Sequence, residues 1–314
     1  MFSQSYLLNI WTITPTCVGG NAEINAPVDN PIARERYTQY PILPGSAIKG
    51  VLVKYCEDAN ILTQPQRDRL FGKTDNQGII AITDASLIAF PVKSLKGLFG
   101  WVSSAFTLNR LNTLAPGSLF TEPIPEIPLG QIILPAGDRG TTLAINLDGG
   151  NKVNLEMFTF SPRNEDAIRN KLKSLLDSVP SSLRWLKDKL EKDWGVVAND
   201  AFKMLVTQCT EIQMRTRIGP QGTVEHGALW SEEYLPSYTW LAAFLHVLKG
   251  LKQEEQKIID TFINTINGKY LQIGANETIG KGFVLLNCKQ LQNLSTNADQ
   301  TVKSAAKNDV KPGG

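Results

Sequence analysis

The chain has 314 residues, 42% of them hydrophobic, enough to bury a full core as one large decorated domain or two smaller ones. Its 32 Lys and Arg against 30 Asp and Glu leave a net charge of +2, which excludes a polycationic nucleic-acid binder and confines any nucleic-acid surface to a local groove. Four scattered cysteines (Cys17, Cys56, Cys209, Cys288) and two distant histidines (His226, His246) lack zinc-ligand spacing and fit free thiols in a reducing cytosol.

The N-terminus carries no basic leader and no apolar run approaches the roughly 20 residues of a membrane span, so the expectation is a cytoplasmic protein with no membrane partner. Tyr6 to Ile13 reads as a buried strand ending at Thr14-Pro15, followed by a Gly19-Gly20-Asn21 loop. Next come Asp29, Arg34 and Arg36, and then Pro44-Gly45-Ser46-Ala47-Ile48-Lys49-Gly50. Apolar residues at Ile48, Val51, Leu52, Tyr55 and Cys56 predict an amphipathic helix with Ser46 as its N-cap. Lys49 then stands in the first turn, where the helix dipole disfavours a cation by about 0.3–1 kcal/mol. Either a phosphate sits against the free N–H groups with Lys49 beside it, or Lys49 is a solvated surface side chain. A carboxylate, several cations and a helix start in one span predict a phosphate-backbone site with a potential catalytic acid, Asp29.

Gln64 to Phe71 reads as helix, and Ile79 to Thr83 and Leu87 to Phe90 as strands on either side of Asp84. A basic segment, Leu108-Asn109-Arg110, precedes a rise in proline density at Pro116, Pro123, Pro125, Pro128 and Pro135. With two helical patterns, Glu165 to Leu176 and Ser181 to Asp193, residues 116–199 read as an insertion. In Glu211 to Ile218, Ile212, Met214, Thr216 and Ile218 alternate with Gln213, Arg215 and Arg217, giving one apolar and one basic face. The turn Gly219-Pro220-Gln221-Gly222 returns the chain through Thr223 to Trp230, so 211–230 is a hairpin. It is either a nucleic-acid ribbon or an edge hairpin with solvated arginines. Tyr238 to Lys249 fits a strand or a short buried helix equally.

Gln253 to Ile266 is a second amphipathic helix. Leu271 to Ile273 and Phe283 to Asn287 are strand-like and flank Gly280-Lys281-Gly282, whose glycines permit close approach of RNA or simply a tight turn. Strand, helix, strands, helix, strand predicts an α+β fold, a ferredoxin-like or RRM (βαββαβ) core with large insertions, over residues 1–288. Residues 289–314, strongly polar from Asn293 on, read as a disordered tail.

Taken together, Thr14-Pro15-Thr16, Asp29-Asn30-Pro31-Ile32-Ala33-Arg34-Glu35, Pro44 to Gly50, Thr83-Asp84-Ala85, Phe90 to Ser94, Gly227 to Pro236 and Glu277 to Gly282 resemble the RAMP-superfamily backbone subunits of type III-B (Cmr) CRISPR effector complexes. The likeness runs to about Cys288. It implies a subunit that stacks in further copies of itself along a CRISPR guide RNA, alongside other subunits of the complex. The hairpin would be a thumb inserted between nucleotides. Complementary target RNA would be bound and cleaved at regular intervals by metal-dependent endonucleolysis, with Mg²⁺ or Mn²⁺ as cofactor.

By the resemblance, Asp29 matches the catalytic aspartate and metal ligand, Glu232 and Tyr234 match residues auxiliary to cleavage, and Ser46 and Lys49 match guide-phosphate positions. Arg34, Arg36, Arg215, Arg217 and Lys281 are candidate phosphate or stacking cations. Met214 is a candidate wedge between bases, and Gly280 and Gly282 would admit the RNA backbone. One departure stands out: family members commonly carry a histidine in the first loop, where this chain has Cys17. The alternative is therefore a structural guide-RNA-binding filament subunit that does not cut. No Walker pattern supports a nucleotide-using enzyme. The Asp29 block and the hairpin point away from the RAMP nucleases that trim precursor RNA.

Overall fold

The computed structural model of the chain describes residues 2–20, 27–117, 119–147 and 149–291. Phe2–Thr12 is an inner strand of a 13-stranded sheet. It pairs antiparallel with Phe283–Leu291 on one side and with Trp240–Leu248 on the other. Ala85–Lys93 pairs antiparallel beyond Trp240–Leu248. Helix Gly45–Asp58 lies in sequence between the first and second of these strands, and helix Gln253–Ile266 between the third and last. The spatial order last, first, third, second is the ferredoxin-like βαββαβ arrangement expected from the sequence.

Which segment forms the third strand differs from the simplest reading of the pattern. It is Trp240–Leu248, and Ile80–Ile82 and Ala85–Lys93 line up along it as two parts of the second strand, interrupted at Thr83-Asp84. Trp240–Leu248 is buried on both faces, so it shows continuous apolar character and no alternation by which to tell strand from helix. The first strand shows why. Leu8 and Ile10 pack in a cluster with Ile48, Leu52, Leu70 and Phe262. Leu7 and Trp11, pointing the other way, join Trp101, Leu108, Leu172, Trp194 and Trp240.

Residues 116–199 continue the same sheet. Beyond Ala85–Lys93 the strands run Phe99–Ser104, Trp194–Val197, Gln131–Ile133, Phe158–Pro162, Gly150–Leu155 and Ala144–Leu147. Helices Asp166–Leu176 and Arg184–Asp193, both expected, cover the second cluster. The buried Asp193 accepts hydrogen bonds from Thr141 Oγ1 (2.9 Å), Thr142 N (2.8 Å) and Thr142 Oγ1 (2.6 Å) and pairs with Lys189 at 2.7 Å, closing that sheet edge onto the helix end.

Strand Phe283–Leu291 takes in residues 289–291 of the stretch read as a tail; the remainder, 292–314, lies outside the described residues, as does Asn21 of the first loop. Among the described residues no helix is long and apolar enough to cross a membrane.

Candidate active site and nucleic-acid interface

The hairpin Glu211–Ile218 with Val224–Tyr234 forms a separate two-stranded sheet. Its apolar face is the one turned outward: Ile212, Met214, Ile218 and Leu229 are 57–63% exposed. The other face closes on itself. Arg215, expected at RNA, has Nε 3.1 Å from Glu232 Oε2 and donates from its guanidinium to the Tyr234 hydroxyl at 3.2 Å. Arg217 pairs with Glu225 at 3.7 Å.

At the hairpin base Glu232 is the centre of a dense network. Its Oε1 accepts from Trp230 Nε1 at 2.8 Å. Its Oε2 accepts from Arg215, from the Tyr234 hydroxyl in a short bond and from Asn276 Nδ2 at 2.9 Å. Asn276 Nδ2 also reaches the Tyr234 oxygen at 2.9 Å, and Lys281 Nζ lies 4.9 Å from the centre of the Tyr234 ring. Burial raises the Glu232 pKa, but the hydrogen bonds from Tyr234, Trp230 and Arg215 outweigh it and hold the carboxylate below its ordinary value. Burial, then the bond to Glu232, pushes the Tyr234 phenol up.

Asp29 is exposed and held on the other face of the same strand, through Ser231. Its Oδ2 accepts from Ser231 N (2.7 Å) and Ser231 Oγ (2.8 Å). The Ser231 backbone N–H first, and the hydroxyl second, lower its pKa, so the carboxyl is ionised at neutral pH. Beside it Glu233 accepts from Ile32 N (3.0 Å), Thr210 Oγ1 (2.7 Å) and Arg34 (2.5 Å). Arg34 is thus engaged inside the protein, while Arg36 is exposed. The structure therefore joins Glu232, Tyr234, Arg215 and Lys281 in one network and keeps Asp29 apart from it.

The helix start corrects one expectation. Pro44, not Ser46, is the N-cap: its carbonyl takes the first helical bonds, from Ala47 N (2.9 Å) and Ile48 N (3.1 Å). Gly45 is already helical, and its N–H donates to Asp84 Oδ1 at 2.7 Å. A Cβ at residue 45 would meet the Ile82 carbonyl oxygen at 2.8 Å, so the interrupted second strand packs directly on the helix start. Ser46 and Lys49 are both exposed there. The Gly-rich loop divides likewise. Gly282 is buried and a Cβ on it would meet the Ile273 carbonyl oxygen at 2.4 Å, so the protein's own backbone requires it. Gly280, at φ +78°, is exposed with open space around it.

Cys17 is buried, and burial, then Glu232 and Glu233, pushes its thiol up to about 11. It is protonated at neutral pH. Ser231, Glu233, Asn276 and Asp84 are the partners that the motif reading did not single out as site residues. Asn276 left a signal, an Asn in a Gly-rich turn, and it adopts φ +67°. Ser231 left none beyond its place before Glu232.

Among the described residues no group of three or more His, Cys, Asp or Glu could hold a metal. A single hard carboxylate with one oxygen bonded by Ser231 fits a hydrated Mg²⁺ or Mn²⁺ that takes its other ligands from water and phosphate, and does not fit a protein-caged ion.

The family model described as the RAMP superfamily matches residues 9–285. The chain is similar to the "CRISPR system Cmr endoribonuclease Cmr4" of Pyrococcus furiosus, 35% identical over 304 residues that cover 92% of this chain and 97% of that protein. It is likewise similar to the crystal structure of oligomeric Cmr4 from Pyrococcus furiosus, with a TM-score of 0.70, 31% identity, and 92% of this chain and 99% of that one covered. A chain of the type III-B Cmr-beta complex bound to cognate target RNA, seen by cryo-EM, shares the fold at a TM-score of 0.67 and 20% identity, over 91% of this chain and 98% of that one. The matched span reaches from the first core strand into the last and includes Asp29, the hairpin and the Gly-rich loop, and on that ground the chain belongs to the RAMP superfamily.

Proposed function

We propose that this chain is a backbone subunit of a type III-B Cmr ribonucleoprotein that assembles in copies along a CRISPR guide RNA, binds complementary target RNA and cleaves it at regular intervals. The resemblance to a Cmr endoribonuclease over almost the whole length supports the family role. The observation that carries the cleavage role is Asp29: an exposed, ionised carboxylate fixed by one oxygen to the base of a hairpin whose apolar face is bare.

In this reading the guide is held by its sugar-phosphate chain, so that any spacer sequence is accepted and base pairing reads the target. Ser46, Lys49 and Arg36 face phosphates from the helix start and the preceding loop, with Gly280 and Lys281 on the far loop. Met214, with Ile212 and Leu229, enters between bases. Arg34, Arg215 and Arg217 act through their carboxylate partners: Arg34 on Glu233 beside Asp29, Arg215 on Glu232, Arg217 on Glu225. A divalent cation at Asp29, Mg²⁺ or Mn²⁺, would neutralise charge on the scissile phosphate and favour ionisation of the attacking hydroxyl. Glu232 and Tyr234 hold the loop bearing Lys281 against the hairpin base. The complex works in the cytoplasm.

The test is target cleavage by the reconstituted complex with Mg²⁺ or Mn²⁺. The wild type produces a ladder of regularly spaced products, and Asp29→Ala removes the ladder while target binding persists. Cutting by Asp29→Ala would reject Asp29. The second reading, a non-cleaving filament subunit, draws on Cys17: a buried, protonated thiol supplies no acid–base group at the position where the family resemblance implies a histidine. Uncut RNA in the wild-type complex would decide for it.

A further inference from the structure

The hydrogen bonds around Asp29 have a defined direction. Ser231 Oγ accepts from the Asp29 backbone N–H at 2.9 Å and donates to Asp29 Oδ2 at 2.8 Å. A hydroxyl has one proton, and here it is committed to the carboxylate by the bond arriving on the oxygen's lone pair. Ser231 N donates to the same Oδ2 at 2.7 Å, so both Ser231 bonds to this carboxylate fall on one oxygen. The backbone around it is pinned as well, with Asn30 N donating to Ser231 O and Glu233 N to Asn30 O, each at 3.0 Å. Ser231 is only 7% exposed.

Ser231 also occupies a telling register position: it stands directly opposite Met214 across the hairpin. Directly paired residues share a face of a two-stranded sheet, so the serine that grips Asp29 belongs to the face that carries Ile212, Met214 and Leu229.

We propose that Ser231 is a positioning residue for cleavage: it fixes the Asp29 side chain through Oδ2 so that Oδ1 is presented to the target strand, and registers the cut to the point where the hairpin enters the RNA. This rests on the reading of Asp29 as the cleaving carboxylate. The role is that of a group that orients a ligand side chain, whose loss typically costs about 10–100-fold in activity or metal affinity.

Reconstituted complexes carrying S231A, S231T and D29A are compared for cleavage rate, Mn²⁺ concentration at half-maximal rate, target binding and, by crystallography of the variant subunit, the position of the Asp29 carboxylate. S231A keeps the backbone N–H and its strand pairing but loses the hydroxyl. Its cleavage is expected to slow by about 10–100-fold and its Mn²⁺ requirement to rise, with target binding unchanged and the Asp29 carboxylate no longer in a single position. S231T retains the hydroxyl and is expected to recover the rate, the Mn²⁺ dependence and the carboxylate position. The proposal is overturned if S231A cuts at the wild-type rate with unchanged Mn²⁺ dependence, or if S231T is as defective as S231A. D29A separates the two levels: an inactive D29A with an unaffected S231A removes only the role of Ser231, whereas a D29A that still cuts removes the assignment of Asp29 and that of Ser231 with it.

Discussion

Cys17 tests how far one side chain can be replaced without loss. A thiol whose pKa lies at about 11 is neutral throughout the pH range of an RNA cleavage assay and exchanges no proton with a substrate there. Cys17→Ser in the assembled complex is therefore expected to leave the cleavage rate nearly unchanged between about pH 6 and 8. A tenfold loss would give the thiol a part in the chemistry. The carbonyl of the same residue is more constrained than its sulfur. It accepts from Ala275 N at 2.9 Å, and a Cβ on Gly274 would sit 2.0 Å from it, with φ +94°. Gly274→Ala must both strain the backbone and push the first loop from the Gly-rich loop, a cost on the order of 1–3 kcal/mol. Thermal denaturation checks this, and an unchanged midpoint would contradict the packing described. Close approach of the protein's own backbone explains glycine at residues 274 and 282, a cause that GxG spacing does not reveal.

At the scale of the element, the hairpin separates stability from function. Met214 is 63% exposed and Ile212 59%. Substituting Met214 by Ala in the isolated chain is expected to change folding stability by no more than about 0.5 kcal/mol, because no core contact is lost. In the complex, the same substitution weakens target cleavage if the bare face enters the RNA. A denaturation midpoint that falls while cleavage holds would mean the face is packed within the chain. The alternation of Ile212, Met214 and Ile218 with Arg215 and Arg217 made the strand and its two faces legible. It did not say which face would be covered, because that depends on Glu232 and Tyr234 of a second strand engaging Arg215 and on Asn276 of a distant loop bonding both of them. The same limit applies elsewhere. The helices Gly45–Asp58 and Gln253–Ile266 bury one stripe each and show it as periodicity. Trp240–Leu248, covered on both faces, shows none, and the short strands between Gln131 and Pro162 are too brief to show any. Asp84 was visible as a motif, but its hydrogen bond to Gly45 follows from the interruption of a strand, a tertiary fact.

For the whole molecule, the burial that builds the two-sided core also sets its limit in alkali. Cys17, Cys56 and Cys209 are raised to about 11 and Cys288 to about 12, each chiefly by burial; Arg67 partly opposes this at Cys56. The neutral thiol is the form the folded chain favours, whereas in the unfolded chain a cysteine ionises near pH 8.5. The contribution of these groups is accordingly complete below the unfolded pKa and is lost as pH rises toward 11–12, because the unfolded state then releases protons that the folded state retains. For the fully buried Cys17 and Cys56 this displacement corresponds to about 2–3 kcal/mol each. Tyr40, raised to about 12 by burial, adds to the same trend at higher pH. Under reducing conditions the melting temperature is expected to stay level from about pH 7 to 8 and to fall progressively above about pH 9. Cys56→Ser, which removes one buried thiol and leaves every proposed site residue in place, should flatten that fall relative to wild type. Equal slopes in the two proteins would show that the alkaline transition belongs to groups other than the buried thiols.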